Sequence, residues 1–369
     1  MKILLISPWF FDISLSLSKE LSKNNEVVTI CPGYLIRNDT LLKNKTFRQV
    51  IVNNSSSVKT IFDERFSSFM DIIYLFRFVR NFKPDIIHIQ ESGGFLYFII
   101  QFFLSFKYKI LLSVHDAKSH IGSENPLRDF KKSLSLKFST RIHTMSNYVK
   151  NSLIKFYSVE ESLVRVIPLS NSWNYEGFDI KKINNEKQVV LFFGRVISYK
   201  GIAYLINSEK LINNQINNLQ IIIDGQSPKK QYMKKLKKLI EGRDRIVILD
   251  KDLPDYLVSI LIHKAKVVVL PYIEASQSGV IGLAYKHLKP VIVTNTGGLS
   301  EYVDNGKTGF IISPKSSEEL AYKITKILKD ENLEKEMAAN IKEKIEGELS
   351  YKAIAKSTKN YYSEIITSN

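Results

Sequence analysis

The sequence predicts two doubly wound α/β domains in tandem, and three observations predict them. Short runs rich in Val, Ile and Leu alternate with stretches of helical periodicity, the pattern of parallel sheets covered on both faces. The chain has 369 residues, where one domain usually takes roughly 100–200. An Asn-rich polar stretch at 170–187 lacks periodicity and separates two halves of similar pattern. The expected division is a first Rossmann-like domain over 1–170, a linker over 171–187, a second over 188–349, and a last helix over 350–369 able to cross back to the first.

Strands are expected at 2–7, 27–31, 49–52, 85–90, 109–114, 141–145 and 164–167, then at 188–193, 219–224, 245–249, 266–270 and 290–294. Phe66, Phe69, Ile73, Phe76 and Val79 recur at helical steps, and Pro84 stops that helix. Ser316 and Glu319 have capping-box spacing at a helix start. The N-terminal apolar run is interrupted by Pro8 and Asp12 and lacks a small-residue cleavage site; a buried first strand explains it better than a signal peptide. The apolar stretch at 95–106 is too short to span a bilayer and contains Gln101 and Ser105.

The net charge is +16, spread over both halves. Such a field attracts nucleic acid, anionic lipid or phosphorylated small molecules. A nucleic-acid binder would show a helix-turn-helix, an RNA-binding aromatic motif or a basic stripe, and none is recognisable. The lysines at 229–238 read as a solvated face. The single cysteine, Cys31, cannot form an intrachain disulfide, which favours a reducing compartment. Phe95 to Phe106 lead into Lys107-Tyr108-Lys109. An aromatic face flanked by lysines suits a lipid interface, although a buried helix accounts for most of these residues.

Three segments at strand ends carry chemistry. Gly194-Arg195-Val196-Ile197-Ser198-Tyr199-Lys200-Gly201 follows a strand and opens a helix. Its glycines admit close backbone approach, and two cations stand where amides also favour anions. Pro271-Tyr272-Ile273-Glu274-Ala275-Ser276-Gln277-Ser278-Gly279-Val280 follows another strand and starts a helix reaching His287, a second anion cradle. Gly297-Gly298-Leu299-Ser300-Glu301 forms a tight loop after a third strand, and the turn Asp304-Asn305-Gly306 leads on to Gly309-Phe310-Ile311. Either cradle alone is equally a solvated basic turn or a Ser-capped helix; two in one half are less often accidental.

In order and spacing these segments, with Ile221-Ile222-Ile223-Asp224-Gly225, resemble the donor-binding half of GT-B fold retaining glycosyltransferases of family four, the surface-polysaccharide type. The first half resembles that family more loosely, at Pro84–His88, Ser113–Asp116 and Thr144–Lys150. The resemblance implies a GT-B fold and sugar transfer with retention from a nucleotide-diphosphate donor to a glycan or lipid-linked acceptor. It implies Arg195 and Lys200 on the diphosphate and Ser278, Gly279 and Val280 on its distal phosphate. The loop from Asp250 to Leu253 would meet the nucleobase. Gly194, Gly225, Glu274, Ser276, Gln277 and Glu301 would complete the donor site. In the first half His115, beside Asp116, is the candidate for a sugar hydroxyl or phosphate contact, and His88 for supporting the cleft wall. The expected location is cytoplasmic, peripheral at the inner face of the cell membrane, with no nucleic acid bound and no metal cofactor required.

One departure concerns a pair of glutamates that many members carry eight positions apart. Those positions here are Ala275 and Leu283, with Glu274 one residue early, so a catalytically degenerate partner subunit is a second reading. Asp250-Lys251-Asp252 imitates the metal-binding D-x-D of another glycosyltransferase fold and is read as a decoy. His88, His115 and His143 lack close metal-ligand spacing. No G-x-G-x-x-G follows the first strand, which argues against a nicotinamide dehydrogenase.

Overall fold

The computed structural model describes residues 1–7, 11–31, 48–53, 56–60, 69–91, 95–118, 125–170, 187–212, 215–251 and 253–368. Most of the expected linker, His120 and Asp252 lie outside them. The chain divides into two compact units, one formed by Met1–Ser172 with Leu349–Asn369 and the other by Trp173–Glu348.

The first unit runs β1 (Lys2–Ile6), α1 (Phe11–Leu21), β2 (Glu26–Cys31), β3 (Arg48–Asn53), β4 (Ser56–Thr60), α2 (Phe69–Phe82), β5 (Ile86–Gln90), α3 (Phe95–Ser105), β6 (Ile110–Val114), α4 (Pro126–Lys137), β7 (Arg141–Thr144), α5 (Asn147–Tyr157) and β8 (Val164–Val166). The strands form one sheet in the order β3-β4-β2-β1-β5-β6-β7-β8. Every pairing is parallel except that of β3 with β4. Residues 54–55 alone separate those two strands, far too few for the crossover that parallel pairing needs. Because side chains alternate along a strand, Ile3 and Leu5 of β1 enter one core while Leu4 and Ile6 enter the other. The core with Leu4 is closed by α2–α5, through Leu75, Ile100, Leu136 and Val149 among others. The core with Ile3 is closed by α1 and by a helix from the far end of the chain, contributing Ile354, Tyr361, Tyr362 and Ile365.

The second unit runs β9 (Gln188–Phe193), α6 (Ile202–Ile212), β10 (Leu219–Asp224), α7 (Lys230–Leu239), β11 (Ile246–Leu249), α8 (Asp255–Lys264), β12 (Ala265–Leu270), α9 (Gly279–Lys286), β13 (Val291–Thr294), β14 (Gly309–Ile312), α10 (Ser317–Lys329) and α11 (Glu331–Glu346). Its sheet is wholly parallel in the order β11-β10-β9-β12-β13-β14. The chain winds outward from β9 in one direction, returns, and winds outward from β12 in the other. The gap between the carboxyl ends of β9 and β12 is therefore the switch point where doubly wound sheets hold ligands. Ser316 caps α10 by accepting from the Glu319 amide, while Glu319 accepts from the Ser313 amide rather than from that of Ser316.

The last helix, α12 (Tyr351–Thr367), packs on the first unit. The Tyr361 hydroxyl donates towards the carbonyls of Ile142 and Leu163, and the Arg165 guanidinium meets both carboxylate oxygens of Glu364 at 2.8 and 2.7 Å. Two strands escaped the sequence reading. β4 is Ser-Ser-Val-Lys-Thr, with one strongly apolar residue, and β14 is a short run after a turn.

Candidate functional site

The carboxyl ends of β9, β10, β12 and β13 are drawn together by glycines. Gly194, at φ 121, ends β9, and its amide donates to the Asp224 carbonyl at 2.9 Å. Gly225, at φ 140, lies so close that a Cβ there would stand 2.1 Å from the Gly194 oxygen. Gly201, at φ 64, likewise leaves only 1.9 Å between a would-be Cβ and the Pro271 oxygen. The Ile273 amide donates to the Tyr199 carbonyl at 2.7 Å, joining the loop after β9 to the loop after β12. Gly297 permits the third contact, where a Cβ would stand 1.4 Å from the Ala275 oxygen, and the Gly298 amide donates to the Ser276 carbonyl at 3.1 Å. Four loops distant in sequence thus make one backbone cradle.

Lys200 lies inside this cradle. Its ammonium stands 3.0 Å from where a Cβ on Gly194 would be, and Val280 Cγ2 lies 3.9 Å from the same point. The half-buried ammonium sits 4.8 Å from the centroid of the buried Tyr272 ring, a cation–π contact. Among the described residues neither Lys200 nor the exposed Arg195 is paired with a carboxylate. Opposite, Ser278 caps α9 by accepting from the Val280 amide. Nothing lies within 4 Å of a would-be Cβ on Gly279, so the first turn of α9 opens onto space. A half-buried cation beside open helix amides has the chemistry to receive an anion.

The other expected donor residues are less concentrated. Ser276 is buried, and Glu274 and Gln277 are half-buried. Glu301 is exposed on a short 3-10 turn after the Gly-Gly loop. Asp250 follows the edge strand β11, two strands from β9, and pairs with Lys237 at 2.8 Å; Leu253 is half-buried. Ala275 and Leu283 are buried, at 4% and 0% exposure, so neither glutamate position carries a carboxylate. Among the described residues no cluster of His, Cys, Asp and Glu could hold a metal ion.

In the first unit His115 directly follows β6, as its strand predicts, but its side chain is enclosed, at 1% exposure, rather than open at the sheet edge. Burial, together with His143 and Lys132, holds its imidazole neutral against the opposing pull of Asp116, with a pKa of about 3. His88, expected to support the cleft wall, is buried. It lies mid-strand, opposite Leu5 and Leu111, with Nε2 2.7 Å from Ser113 Oγ and Nδ1 2.6 Å from the Tyr362 hydroxyl. The same Ser113 oxygen meets His143 Nδ1 at 2.7 Å, so Ser113 stands between the two rings. The sequence reading also missed a buried ion pair, Lys132 with Glu91 at 3.3 Å, next to His115. Glu91 has a left-handed backbone, at φ 63, and sits directly after an apolar strand; the acid at that strand end was the only available signal.

Two doubly wound sheets in tandem are the architecture of GT-B fold glycosyltransferases. The comparisons agree. The family described as "Glycosyltransferase Family 4" matches residues 14–169, and "Glycosyl transferases group 1" matches 176–344. The chain belongs to the family-four glycosyltransferases. An uncharacterized glycosyltransferase of Methanocaldococcus jannaschii is 29% identical over 62% of this chain and 61% of its own length. The capsular polysaccharide biosynthesis glycosyltransferase CapM of Staphylococcus aureus is 26% identical over 62% of each. The matches thus span less than two thirds of these relatives. Sucrose-phosphate synthase of Thermosynechococcus elongatus shares the fold over the full length of both chains, with a TM-score of 0.76 and 17% identity. Anabaena HepE, solved in complex with UDP-glucose, shares it over 99% of this chain and 100% of that chain, with a TM-score of 0.70 and 18% identity.

Proposed function

We propose that the chain transfers a sugar, with retention of configuration, from a nucleotide-diphosphate donor to a hydroxyl of a glycan or lipid-linked acceptor in surface-polysaccharide synthesis. The observation that carries this reading is Lys200: a half-buried cation without a carboxylate partner among the described residues, directly over a glycine and facing the start of α9. A diphosphate bridging Lys200, Arg195 and the amides at 279–280 would satisfy both the cations and the helix start. The negative charge that grows on the leaving phosphate during transfer would be met there, which lowers the barrier by preorganised electrostatics. That phosphate can also take the acceptor proton, so no protein base is needed. His115, neutral near pH 7, is assigned to hold a sugar hydroxyl or phosphate. Glu274, Ser276, Gln277 and Glu301 are assigned to the sugar side of the donor, and Gly225, Asp250 and Leu253 to its nucleoside side. No metal enters the scheme.

The acceptor reading draws on CapM, whose name places it in capsular polysaccharide biosynthesis. It also draws on an exposed aromatic rim of the first unit. Phe103 of α3 and Phe106 just after it are 55% and 72% exposed, and Lys107 follows. No helix among the described residues is long and apolar enough to cross a membrane. A peripheral contact with the inner, anionic leaflet, made from the cytoplasm, would bring such a protein to a lipid-linked acceptor.

A thermal-shift panel of UDP, GDP, ADP, CMP and their sugars tests the donor, because a ligand bound to the folded state alone raises the melting temperature. A panel without any shift would remove the proposal. The buried Ala275 and Leu283 favour a second reading, a donor-binding partner that does not catalyse. Slow hydrolysis of the donor by the purified protein would exclude that one.

A further inference from the structure

The turn after β6 is held by side chains from three other elements, at three consecutive residues. The His115 amide donates to Glu91 Oε2 at 2.7 Å. The Lys132 ammonium donates to the Asp116 carbonyl. The Tyr157 hydroxyl donates to the Ala117 carbonyl at 3.0 Å. Glu91 follows β5, Lys132 lies on α4 and Tyr157 ends α5.

Glu91 shows how the arrangement is built. Its own amide donates to the Ser113 carbonyl at 3.0 Å, continuing the parallel ladder of β5 and β6. The next rung would carry the His115 amide to the Glu91 carbonyl. Glu91 instead turns left-handed, at φ 63, and its carboxylate accepts the His115 amide in place of the carbonyl. A left-handed turn is strained for a side chain this long, so the chain bends away while the rung is kept. Lys132 then neutralises the carboxylate, with both side chains nearly excluded from solvent, at 3% and 9% exposure. A buried ion pair is a poor source of stability relative to apolar residues of the same size. What it supplies is a fixed geometry.

Resting on the assignment of His115 above, we infer that Glu91, Lys132 and Tyr157 are positioning residues that set the placement of the His115 imidazole for sugar transfer. A misplacement of about 1 Å at a reacting group can cost on the order of a hundredfold in rate, so a turn held at three consecutive residues has a kinetic purpose.

The test is a double-mutant cycle, read as hydrolysis of the nucleotide sugar giving the largest shift in the panel above. Tyr157→Phe removes one hydroxyl at a half-buried site and keeps the ring. It should lower kcat roughly tenfold, with donor KM unchanged. Glu91→Gln with Lys132→Met removes both buried charges and keeps an acceptor for the His115 amide. It should stay folded, with the melting temperature held, and also lose kcat. In a His115→Ala background neither change should lower kcat further, since both act through that residue. If His115→Ala slows turnover while Tyr157→Phe and the Glu91/Lys132 variant do not, or if their effects add fully to it, the inference is overturned and the turn is only braced. If His115→Ala turns over normally, the assignment of His115 fails, and the inference fails with it.

Discussion

The Tyr362 hydroxyl lies 2.6 Å from His88 Nδ1, joining the last helix to the middle of β5. The protons of the chain beyond it can be assigned. His143 Nε2 faces the Ile167 carbonyl at 2.9 Å, so it must donate. Its Nδ1 then accepts from Ser113, whose oxygen accepts from His88 Nε2. His88 Nδ1 is left to accept from Tyr362. Each neutral ring thus donates once and accepts once, and all the polar atoms of this buried row are satisfied.

A proton on either ring breaks that order, and acid sensitivity follows. Burial pushes His143 down from 6.5 to about 4, and burial, with His143 and His115 nearby, holds His88 well below its usual value. The unfolded chain binds protons below about pH 6.5 while the folded chain does not, so stability is complete above that pH and falls as pH drops. His143 alone should contribute a loss of about 3 kcal/mol by pH 4. Urea unfolding at pH 7, 6 and 5 should show falling stability, with proton uptake on unfolding; a flat profile would count against the neutral row. Tyr362→Phe strands a buried His88 nitrogen and should cost roughly 1–3 kcal/mol at pH 7.

The cradle predicts a shared effect of two cations. Lys200→Ala and Arg195→Ala should each weaken nucleotide-diphosphate binding by roughly 1.5–3 kcal/mol, the worth of a charged hydrogen bond. Isothermal titration with the diphosphate selected by the thermal-shift panel measures it. Unchanged affinity in both variants would remove the diphosphate from this site.

Gly225 holds no ligand through a side chain, yet it should matter as much. A Cβ there would meet the Gly194 oxygen at 2.1 Å, on a backbone at φ 140. Gly225→Ala must therefore push the β9 turn aside, lowering both the melting temperature and nucleotide affinity. Gly242→Ala is the control. It shares a positive φ, 73, but has nothing within 4 Å of a Cβ, so it should cost stability alone.

Chelation separates the cradle from the D-x-D imitation. Asp250 is already paired with Lys237, so EDTA should leave transfer intact. Activity lost to EDTA and restored by manganese or magnesium would reinstate a metal.

The aromatic rim predicts lipid binding that depends on charge. Phe103→Ser with Phe106→Ser should abolish co-flotation with vesicles rich in anionic lipid and leave nucleotide binding unchanged. Equal flotation of native and variant protein would place the lipid contact elsewhere.

Much of the fold was legible because a buried parallel strand is a run of apolar residues, and runs such as those at 2–6, 86–90 and 188–193 end in a turn or a helix start. The donor cradle was legible because glycines and cations at strand ends are local signals. What was hidden is assembled across the chain. Ser113 joins His88, 25 residues before it, to His143, 30 residues after it. Lys132 reaches the Asp116 carbonyl from 16 residues away. Each of these residues is unremarkable in its own segment, and only the packing of the sheet brings them together. The glycines of the cradle were visible as glycines, but which backbone each admits depends on neighbouring strands.

The packing of α12 also orders events at the ribosome. Ile3, Leu5, Leu17 and Leu21 are translated before the second unit, and their partners Ile354, Tyr361, Tyr362 and Ile365 after it. Between them the ribosome must make the whole second unit, Trp173–Glu348. At about 5–20 residues per second that interval is on the order of ten to thirty seconds. Throughout it one apolar face of the first sheet has α1 but lacks α12. The second unit, being continuous in sequence, can close during the wait. A released chain truncated after residue 348 should therefore hold a folded second unit and a first unit open to chaperones and proteases.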